Sequence, residues 1–294
     1  MDVLSLFDGM SCGQIALNKL GVDYKYYYAS EIDQSAIKVT MDNYPNTIQV
    51  GDVTKLKGKN FPYVDLLIGG SPCQGFSFAG KQLNFDDSRS KLFFEYVRLL
   101  NEIKPKYFLL ENVKMKKEFQ DVISSYLGVK PVEINSSIVS AHDRKRLYWT
   151  NIPFLINYID NIVLEDILDS DVDESLYLRE DIASRYTENK NYKENFYKSN
   201  VIGRLSPYQG DRVFCTKGKG SSLSASGGNN GGGGCNIIID PHTDKLRKLS
   251  INECERLQTV PHNYTKAAPI TQRYKMLGNG WTVDVIANIF SNLK

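Results

Sequence analysis

The hydrophobic pattern of this chain changes near residue 156. Before that point, short apolar runs alternate with segments in which apolar residues recur every three or four positions. The short runs are typical of buried strands, and the second pattern is typical of amphipathic helices. The predicted strands are 3–7, 24–30, 64–68 and 107–110, and the predicted helices are 12–20, 35–44 and 92–103. Repeated strand–helix units predict an α/β, Rossmann-like fold with a parallel sheet and helices on both faces.

The middle of the chain is more polar. Tyrosine, asparagine and lysine dominate from residue 157 to about 245, and residues 218–234 are rich in serine and glycine. The runs 222–225 and 235–239, on either side of the glycine-rich core 226–234, have the pattern of strands, so we predict a glycine-rich loop held between them. Glycine in such a loop lets the backbone come close to a ligand. This part is expected to form a smaller, irregular, β-rich domain.

Helical patterns return after Leu249. Ser250 is suited to an N-cap, and Glu253 three residues later would complete a capping box. Residues 282–293 predict an amphipathic last helix. We therefore predict three parts: an α/β domain at 1–156, the β-rich domain at 157–245, and a C-terminal segment at 246–294 that packs back on the first domain.

Composition narrows the class of protein. The 294 residues are 41% hydrophobic and 24% charged, which is ordinary for a globular protein, and no apolar run approaches the roughly 18 residues that span a bilayer. The chain begins on a strand-like run without a basic segment, so we expect no signal peptide. Five scattered cysteines suit a reducing cytosol. We therefore expect a cytoplasmic protein.

Charge is informative only locally. A net charge of +2 is too small to indicate a polyanionic partner. Residues 190–222, however, carry seven Lys and Arg against two Asp and Glu, with tyrosines between them. This mixture favours a nucleic-acid face, although a solvated surface would have the same composition.

One cysteine follows a predicted buried strand. The run 64–68 ends in two glycines, and a Ser-Pro-Cys turn then carries the Cys73 thiol beyond the strand end. Reacting groups of an open α/β sheet lie at this edge. No second cysteine lies two or three residues away, so neither a redox pair nor a zinc knuckle fits. The residues alone leave two interpretations: Cys73 is a nucleophile, or it has no chemical role.

Three further features point to an adenosine-containing ligand. The turn 7–13 after the first strand contains glycine, but it does not match G-x-G-x-x-G, which disfavours a nicotinamide cofactor. Glu31 follows the second strand, where an acid can hold two ribose hydroxyls. Asp52 is suited to an amino-group donor such as adenine. Acids at strand ends also cap helices, so each residue alone is ambiguous.

Polar residues follow two later strands. Glu111 comes directly after a buried strand, where burial favours its protonated form and would let it act as a proton donor. Arg144 and Arg146 follow a strand-like Ile138–Val139 segment. Arginines two apart in extended chain point the same way, so they could clamp one anionic or carbonyl group. A surface salt-bridge lattice is the alternative for this pair.

In this order, the motifs resemble those of the DNA (cytosine-5) methyltransferase family over nearly the whole chain. The matching motifs are the cofactor turn at 7–13, the acids Glu31 and Asp52, Pro72-Cys73-Gln74, Glu111-Asn112-Val113, Arg144-Lys145-Arg146, the segment 249–261, and Leu277-Gly278-Asn279-Gly280. The resemblance is to the bacterial and phage type, and Trp281 is similar to the animal de novo branch. Ser5, Ser11, Cys12 and His142 depart from the commonest pattern.

The resemblance implies a mechanism and a set of site residues. S-adenosyl-L-methionine is the implied methyl donor, no metal is implied, and the target is C5 of a flipped-out cytosine in a short double-stranded DNA sequence, attacked at C6 by Cys73. The implied catalytic residues are Cys73, Glu111, Arg144 and Arg146. The implied cofactor-binding residues are Phe7, Asp8, Gly9, Cys12, Glu31, Ile32, Asp52, Val53, Pro72, Leu92, Asn279, Gly280 and Trp281.

DNA contacts are expected in two regions. Lys81 and Arg89 belong to the polar segment 74–91 after the nucleophile, and Gln209, Arg212 and Ser222 belong to the β-rich part, which resembles a target-recognition domain. Two other functions stay open, namely a tRNA cytosine-5 methyltransferase and a catalytically silent DNA-binding regulator. We expect a monomer in a bacterial cell or phage-infected host, with any cognate restriction endonuclease acting separately.

Overall fold

The computed structural model describes residues 1–71, 88–157, 161–193, 195, 198–225 and 236–293, without the side chains of 88–90. The strands are β1 (Asp2–Leu6), β2 (Tyr26–Ser30), β3 (Ile48–Gln49), β4 (Leu66–Gly70), β5 (Tyr107–Val113), β6 (Val132–Asn135), β7 (His142–Asp143), β8 (Lys145–Thr150), β9 (Thr187–Glu188), β10 (Val201–Arg204), β11 (Arg212–Phe214), β12 (Gly220–Ser221), β13 (Ile237–Ile239) and β14 (Leu246–Lys248). The α-helices are α1 (Cys12–Lys19), α2 (Gln34–Asn43), α3 (Ser88–Ile103), α4 (Lys117–Leu127), α5 (Glu180–Ala183), α6 (Ile251–Leu257), α7 (Ile270–Asn279) and α8 (Val283–Phe290).

A seven-stranded sheet organises the first half of the chain. Its order is β3-β2-β1-β4-β5-β8-β6. The strands from β3 to β5 pair in parallel, whereas β8 pairs antiparallel with β5. Apolar side chains of the strands and of α3 and α4 are buried together in one core. The predicted Rossmann-like α/β class is confirmed, because strand–helix repeats bring successive strands side by side in one direction.

Close packing fixes helix α1 against this sheet. A Cβ atom built on Gly13 would lie 2.3 Å from Ile68 Cδ1 and 3.1 Å from Tyr27 Oη. Glycine therefore lets the first turn of α1 approach the strand ends closely. Helix α3 begins at Ser88 instead of the predicted residue 92, so the end of the predicted polar segment 74–91 is helical.

The chain divides into two compact units. The first unit contains residues 1–134, 145–156 and 286–294, and the second contains 135–144 and 157–285. The boundary between residues 156 and 157 lies where the hydrophobic pattern of the sequence changes. The return to the first unit, however, comes at Ile286 instead of residue 246, because β14 pairs with β13 and keeps this stretch in the second unit.

The second unit contains a five-stranded sheet of order β14-β13-β11-β10-β9 over a small apolar core of Leu205, Val213 and Ile237. Two strand predictions are wrong here. Residues 222–225 follow the short β12, which pairs with β7, and Ser136–Ile138 is a 3-10 helix. Short segments with mixed polarity carry too little periodicity to distinguish these conformations.

Charged side chains are buried in the second unit. Arg247 is fully buried, with its guanidinium bonded to the carboxylates of Asp240 and Glu253. Glu253 also accepts from the Ser250 backbone while Ser250 Oγ accepts from the Glu253 N–H, so the predicted capping box is confirmed. Among the described residues, no helix is both long and apolar enough to cross a membrane.

Candidate active site

The turn between β1 and α1 has an unusual backbone. Phe7, Gly9 and Ser11 have φ values of 57°, 59° and 65°, in the left-handed region. The Gly9 N–H donates to Glu31 Oε2 at 2.8 Å, and the N–H groups of Ile32 and Asp33 donate to Oε1 at 2.7 and 2.9 Å. Glu31 is thereby fixed beside the turn. Because an ionised carboxylate has about four acceptor positions, Glu31 can also accept ribose hydroxyls.

Asp8 is a titratable group within this turn. Tyr27 Oη donates to its Oδ1 at 2.9 Å. Burial raises the Asp8 pKa to about 6, and the charge of Glu31 adds to the shift, while hydrogen bonds oppose it. Cys12, another predicted cofactor contact in this turn, is buried, with 4% of the residue exposed.

Four more predicted cofactor contacts are Asp52, Ile32, Val53 and Leu92. Asp52 Oδ1 accepts from the Thr54 N–H at 3.0 Å and from Thr54 Oγ1 at 2.8 Å, and these bonds lower the Asp52 pKa. Ile32 exposes 71% of its side chain, which is unusual for an aliphatic residue and suits stacking against a flat apolar ligand. Val53 is buried, and Leu92 packs against the main core. Asp52 and Ile32 therefore suit an adenosine group, whereas Val53 and Leu92 are engaged in the core.

Glu111 and Arg146 form an ion pair on neighbouring strands. Arg146 Nε lies 3.1 Å from Glu111 Oε1, and the two side chains are only 15% and 11% exposed. Residue 111 lies within β5, one strand from the end of β4, where Gly70 is its register partner. The pair therefore places a carboxylate and a guanidinium together beside the end of β4.

The neighbouring residue, Asn112, holds the chain where it leaves β4. Its Nδ2 lies 3.4 Å from the Ser71 carbonyl oxygen and 3.3 Å from Ser71 Oγ. Sequence reasoning assigned no role to this buried amide. The predicted Pro72, Cys73 and Lys81 lie outside the described residues. Arg89 lies in α3, and its side chain also lies outside them.

Arg144 does not share the surroundings of Arg146. Its side chain is 3% exposed and donates to the backbone carbonyls of Leu223, Gly278 and Gly280 at 3.3, 3.1 and 2.9 Å. The predicted common clamp is therefore not formed. Extended-chain geometry suggested that both side chains point the same way, but residue 144 lies between two strands, of which β7 pairs with β12 and β8 pairs with β5.

The last predicted cofactor motif also belongs to the second unit. Asn279 ends α7 and is exposed, and Gly280 and Trp281 are half-buried in the turn before α8. Gln258 Nε2 donates to the carbonyls of Leu277 and Gly280 at 2.6 and 3.2 Å. This turn therefore has a defined backbone, shaped by side chains distant in sequence.

Three of the predicted DNA-binding residues, Gln209, Arg212 and Ser222, belong to the second unit. Gln209 and Ser222 are exposed, and Arg212 is half-buried above the Phe214 ring. Arg212 lies directly opposite Arg204 in the antiparallel β10–β11 pair. Burial and the charge of Arg204 lower the Arg212 pKa. Two positive charges directly opposite each other repel, and a bound anion would relieve that repulsion. The sequence alone did not indicate that Arg204 and Arg212 are opposite, because this depends on the register of β10 and β11.

Metal ligation has no candidate among the residues that the structure describes. No three His, Cys, Asp or Glu side chains among them are close enough to hold an ion. The free cysteines that the described ranges contain are Cys12, Cys215 and Cys254, of which the first and last are buried.

Comparison with known proteins gives consistent results. The sequence model of the family described as C-5 cytosine-specific DNA methylase matches residues 1–126 and 134–294. The chain is 28% identical over 312 residues to the type II methyltransferase M.HhaI of Haemophilus parahaemolyticus, covering 99% of this chain and 93% of that protein. It is 31% identical over 311 residues to the type II methyltransferase M1.ScrFI of Lactococcus lactis subsp. cremoris, with 97% and 75% covered.

Solved structures show the same fold. The structure of the Entamoeba histolytica methyltransferase EhMeth superposes with a TM-score of 0.75 at 18% identity, covering 100% of this chain and 99% of that one. At this identity the likeness concerns the fold alone.

Proposed function

The chain belongs to the C-5 cytosine-specific DNA methylase family, whose members use S-adenosyl-L-methionine as methyl donor, and we propose that it methylates cytosine within one short double-stranded DNA sequence. The observation that carries the proposal is the Glu111–Arg146 pair beside the end of β4. Cytosine C5 is a weak nucleophile, so it must be activated by addition at C6. An acid close to the chain that leads to a cysteine suits that activation.

Cys73 and Glu111 have complementary roles in this proposal. The Cys73 thiolate forms a bond to C6 while the Glu111 carboxyl donates a proton or hydrogen bond at N3, which moves electron density to C5. When bound, S-adenosyl-L-methionine supplies an electrophilic methyl group. After methylation the C5 proton passes to a water molecule, and its bonding electrons form the C5–C6 double bond as the sulfur–C6 bond breaks. Cys73 leaves as the thiolate, and the N3 proton returns to Glu111.

Arg146 is proposed to orient both the Glu111 carboxyl and the target cytosine. Its Nε engages Glu111 Oε1 and its Nη1 donates to the Lys145 carbonyl at 2.9 Å, and we assign Nη2 to the cytosine O2. The Asn112–Ser71 contacts support this arrangement, because they hold Ser71, the residue that follows β4, beside the Glu111 strand. A base within a duplex cannot enter such a site, so the target cytosine must be flipped out.

The second unit is proposed to read the DNA. Arg204 and Arg212 form a positive pair suited to a phosphate group, and Gln209 and Ser222 are exposed polar side chains suited to bases or backbone. Cofactor contacts are assigned to the turn 7–9, to Glu31 and Asp52, and to Asn279 and Trp281. A monomer is sufficient for this arrangement.

The experiment is methyl transfer from labelled S-adenosyl-L-methionine to unmethylated genomic DNA, followed by bisulfite sequencing. We expect 5-methylcytosine confined to one short motif. Cys73→Ala should abolish it, whereas Cys215→Ala, which removes a cysteine of the second unit, should not. Labelling of tRNA instead of DNA, or methylation by Cys73→Ala, would contradict the proposal.

A role in protecting DNA against a restriction endonuclease is also proposed. The two relatives described above are named type II methyltransferases. We propose that this chain likewise protects a recognition sequence against a separate restriction endonuclease. Plasmid DNA from cells expressing the chain should resist endonucleases that cut the motif found by bisulfite sequencing, and unchanged cleavage would contradict protection.

A further inference from the structure

Two segments of the second unit are assigned to different ligands. Residues 220–225, here called the recognition stem, include Ser222 and belong to the proposed DNA side. Residues 278–281, here called the final turn, include Asn279 and Trp281 and belong to the proposed cofactor side. The two segments are about 55 residues apart in the chain. Their contacts with each other and with Arg144 are not explained by either role alone.

A single side chain binds both segments. Arg144 Nη1 donates to the Leu223 carbonyl of the stem at 3.3 Å, and Nη2 donates to the Gly278 and Gly280 carbonyls of the turn at 3.1 and 2.9 Å. The guanidinium is a rigid planar fork, so its donors have a fixed relative geometry. A shift of either segment would therefore strain its bonds to the other.

Direct backbone packing is an independent link. A Cβ atom built on Gly278 would lie 2.5 Å from the Ser224 carbonyl carbon and 2.6 Å from the Ala225 nitrogen. These are backbone atoms, which cannot move aside as a flexible side-chain end could. The stem therefore lies directly on the final turn, and only glycine permits this approach.

Each segment is also fixed on its far side. The Leu223 N–H donates to His142 Nε2 at 3.0 Å, and β12 pairs with β7. In the turn, Gln258 holds the Gly280 carbonyl, and Thr282 Oγ1 bonds Gln258 Oε1 at 2.8 Å. These polar groups are buried and form a connected network, in which displacement of one member disturbs the next.

We propose that Arg144 is a positioning residue that couples cofactor binding at the final turn to the conformation of the recognition stem. Occupation of the turn restrains the stem, and loss of Arg144 uncouples them. This inference rests on the proposed function, because it takes the turn as a cofactor contact. It assigns Arg144 no contact with cytosine, in contrast to Arg146.

The test measures binding and backbone exchange instead of turnover. S-adenosylhomocysteine, the demethylated form of the donor, is titrated calorimetrically into the full chain, and amide hydrogen exchange of the stem is followed with and without it. In the wild type, we expect saturation to slow exchange at 220–225. In Arg144→Lys, which keeps the charge but loses the fork, we expect about tenfold weaker binding and no slowing at the stem.

Gly278→Ala provides a second route to the same result, because it separates stem and turn without removing Arg144. It should also abolish the slowing. Arg256→Lys is the matched control. Arg256 is an arginine of the second unit whose guanidinium donates to the Ile167 carbonyl and to the Asp169 carboxylate, and both acceptors lie outside the stem and the final turn. It should behave as the wild type, and thermal melts show whether each variant is folded.

The outcomes separate this inference from the proposed function. If the wild type binds S-adenosylhomocysteine but its stem exchange is unchanged, or if Arg144→Lys and Gly278→Ala fold and keep the slowing, the coupling is overturned and the methyltransferase proposal stands. Loss of the slowing in Arg256→Lys would also overturn the specific role of Arg144. If the wild type does not bind the ligand at all, both proposals fall.

Discussion

Arg146 and Arg144 are separated by one residue, yet their surroundings differ in kind. Arg146 lies on β8 of the first unit, opposite the end of β5, and its Nε faces an ionisable partner, Glu111, at 3.1 Å. Arg144 lies in the second unit with its donors on three backbone carbonyls. A carboxylate can exchange a proton with a ligand, whereas a backbone carbonyl cannot. The first arrangement therefore suits chemistry, and the second suits holding the chain in place.

The same difference extends to the regions around them. At a strand end of the first unit, Glu31 accepts three backbone N–H groups and, as a carboxylate, has a further acceptor position for a ligand. In the second unit, the carboxylates of Asp240 and Glu253 pair with Arg247, and Glu253 also accepts from the N-cap of α6. Location at a sheet edge therefore indicates function better than charge itself does.

The largest expected effect concerns the first unit. Glu111→Gln keeps the shape of the side chain but removes the proton donor, so we expect kcat to fall by about 10²- to 10⁴-fold with little change in thermal stability. Glu133→Gln is the matched control, because Glu133 pairs with Lys114 on exposed surface of the same unit. If Glu111→Gln instead lowered stability and left kcat intact, the distinction between the two regions would be lost.

The next effect concerns the buried ions of the second unit. Arg247→Met leaves Asp240 and Glu253 buried without their cation, and we expect a loss of about 3–5 kcal/mol in the free energy of unfolding. Arg179→Met breaks an exposed pair with Asp181, and its effect should be under about 1 kcal/mol. Urea unfolding measures both, and equal effects would show that burial is not the cause.

A smaller effect distinguishes DNA contact from structure within the second unit. If Arg204 and Arg212 bind phosphate, Arg204→Gln should weaken DNA binding severalfold and reduce the slope of log affinity against log salt by about 1. Fluorescence anisotropy over a salt series measures this. Arg185→Gln, on exposed surface of the same unit, is the control. An unchanged slope for Arg204→Gln would argue that the pair faces no DNA.

The smallest effect tests a buried acid at the cofactor turn. Because the folded-state pKa of Asp8 is raised to about 6 from 3.8, the folded chain binds this proton more tightly than the unfolded chain. The contribution of Asp8 to stability is therefore present below pH 3.8 and is lost as pH rises to about 6. The melting temperature of Asp8→Asn relative to wild type should increase between pH 4 and pH 7.

Asp23→Asn is the control for this titration, since Asp23 is an exposed acid of the first unit. A similar pH trend in Asp23→Asn would mean that net charge, and not burial at the turn, causes the difference.

Much of the first unit could be predicted, and less of the second. Strands β1, β4 and β5 and helices α1 and α2 lie within a few residues of their predicted bounds, because long apolar periodicity reports burial directly. The capping box at Ser250 was also predictable, since its partners are three residues apart. Residues 222–225 were mistaken for a strand, because short polar segments take their conformation from their neighbours in space.

The sequence by itself determined the fold class, the order of the motifs and the acids at the strand ends, since these depend on local patterns. Only the tertiary structure decided that Arg146 joins Glu111 while Arg144 joins Leu223 and Gly278, which are 79 and 134 residues away. The physical reason is that the partner of a buried charge is chosen by the packing of distant segments, which must satisfy every desolvated donor, and spacing along the chain carries no record of that choice.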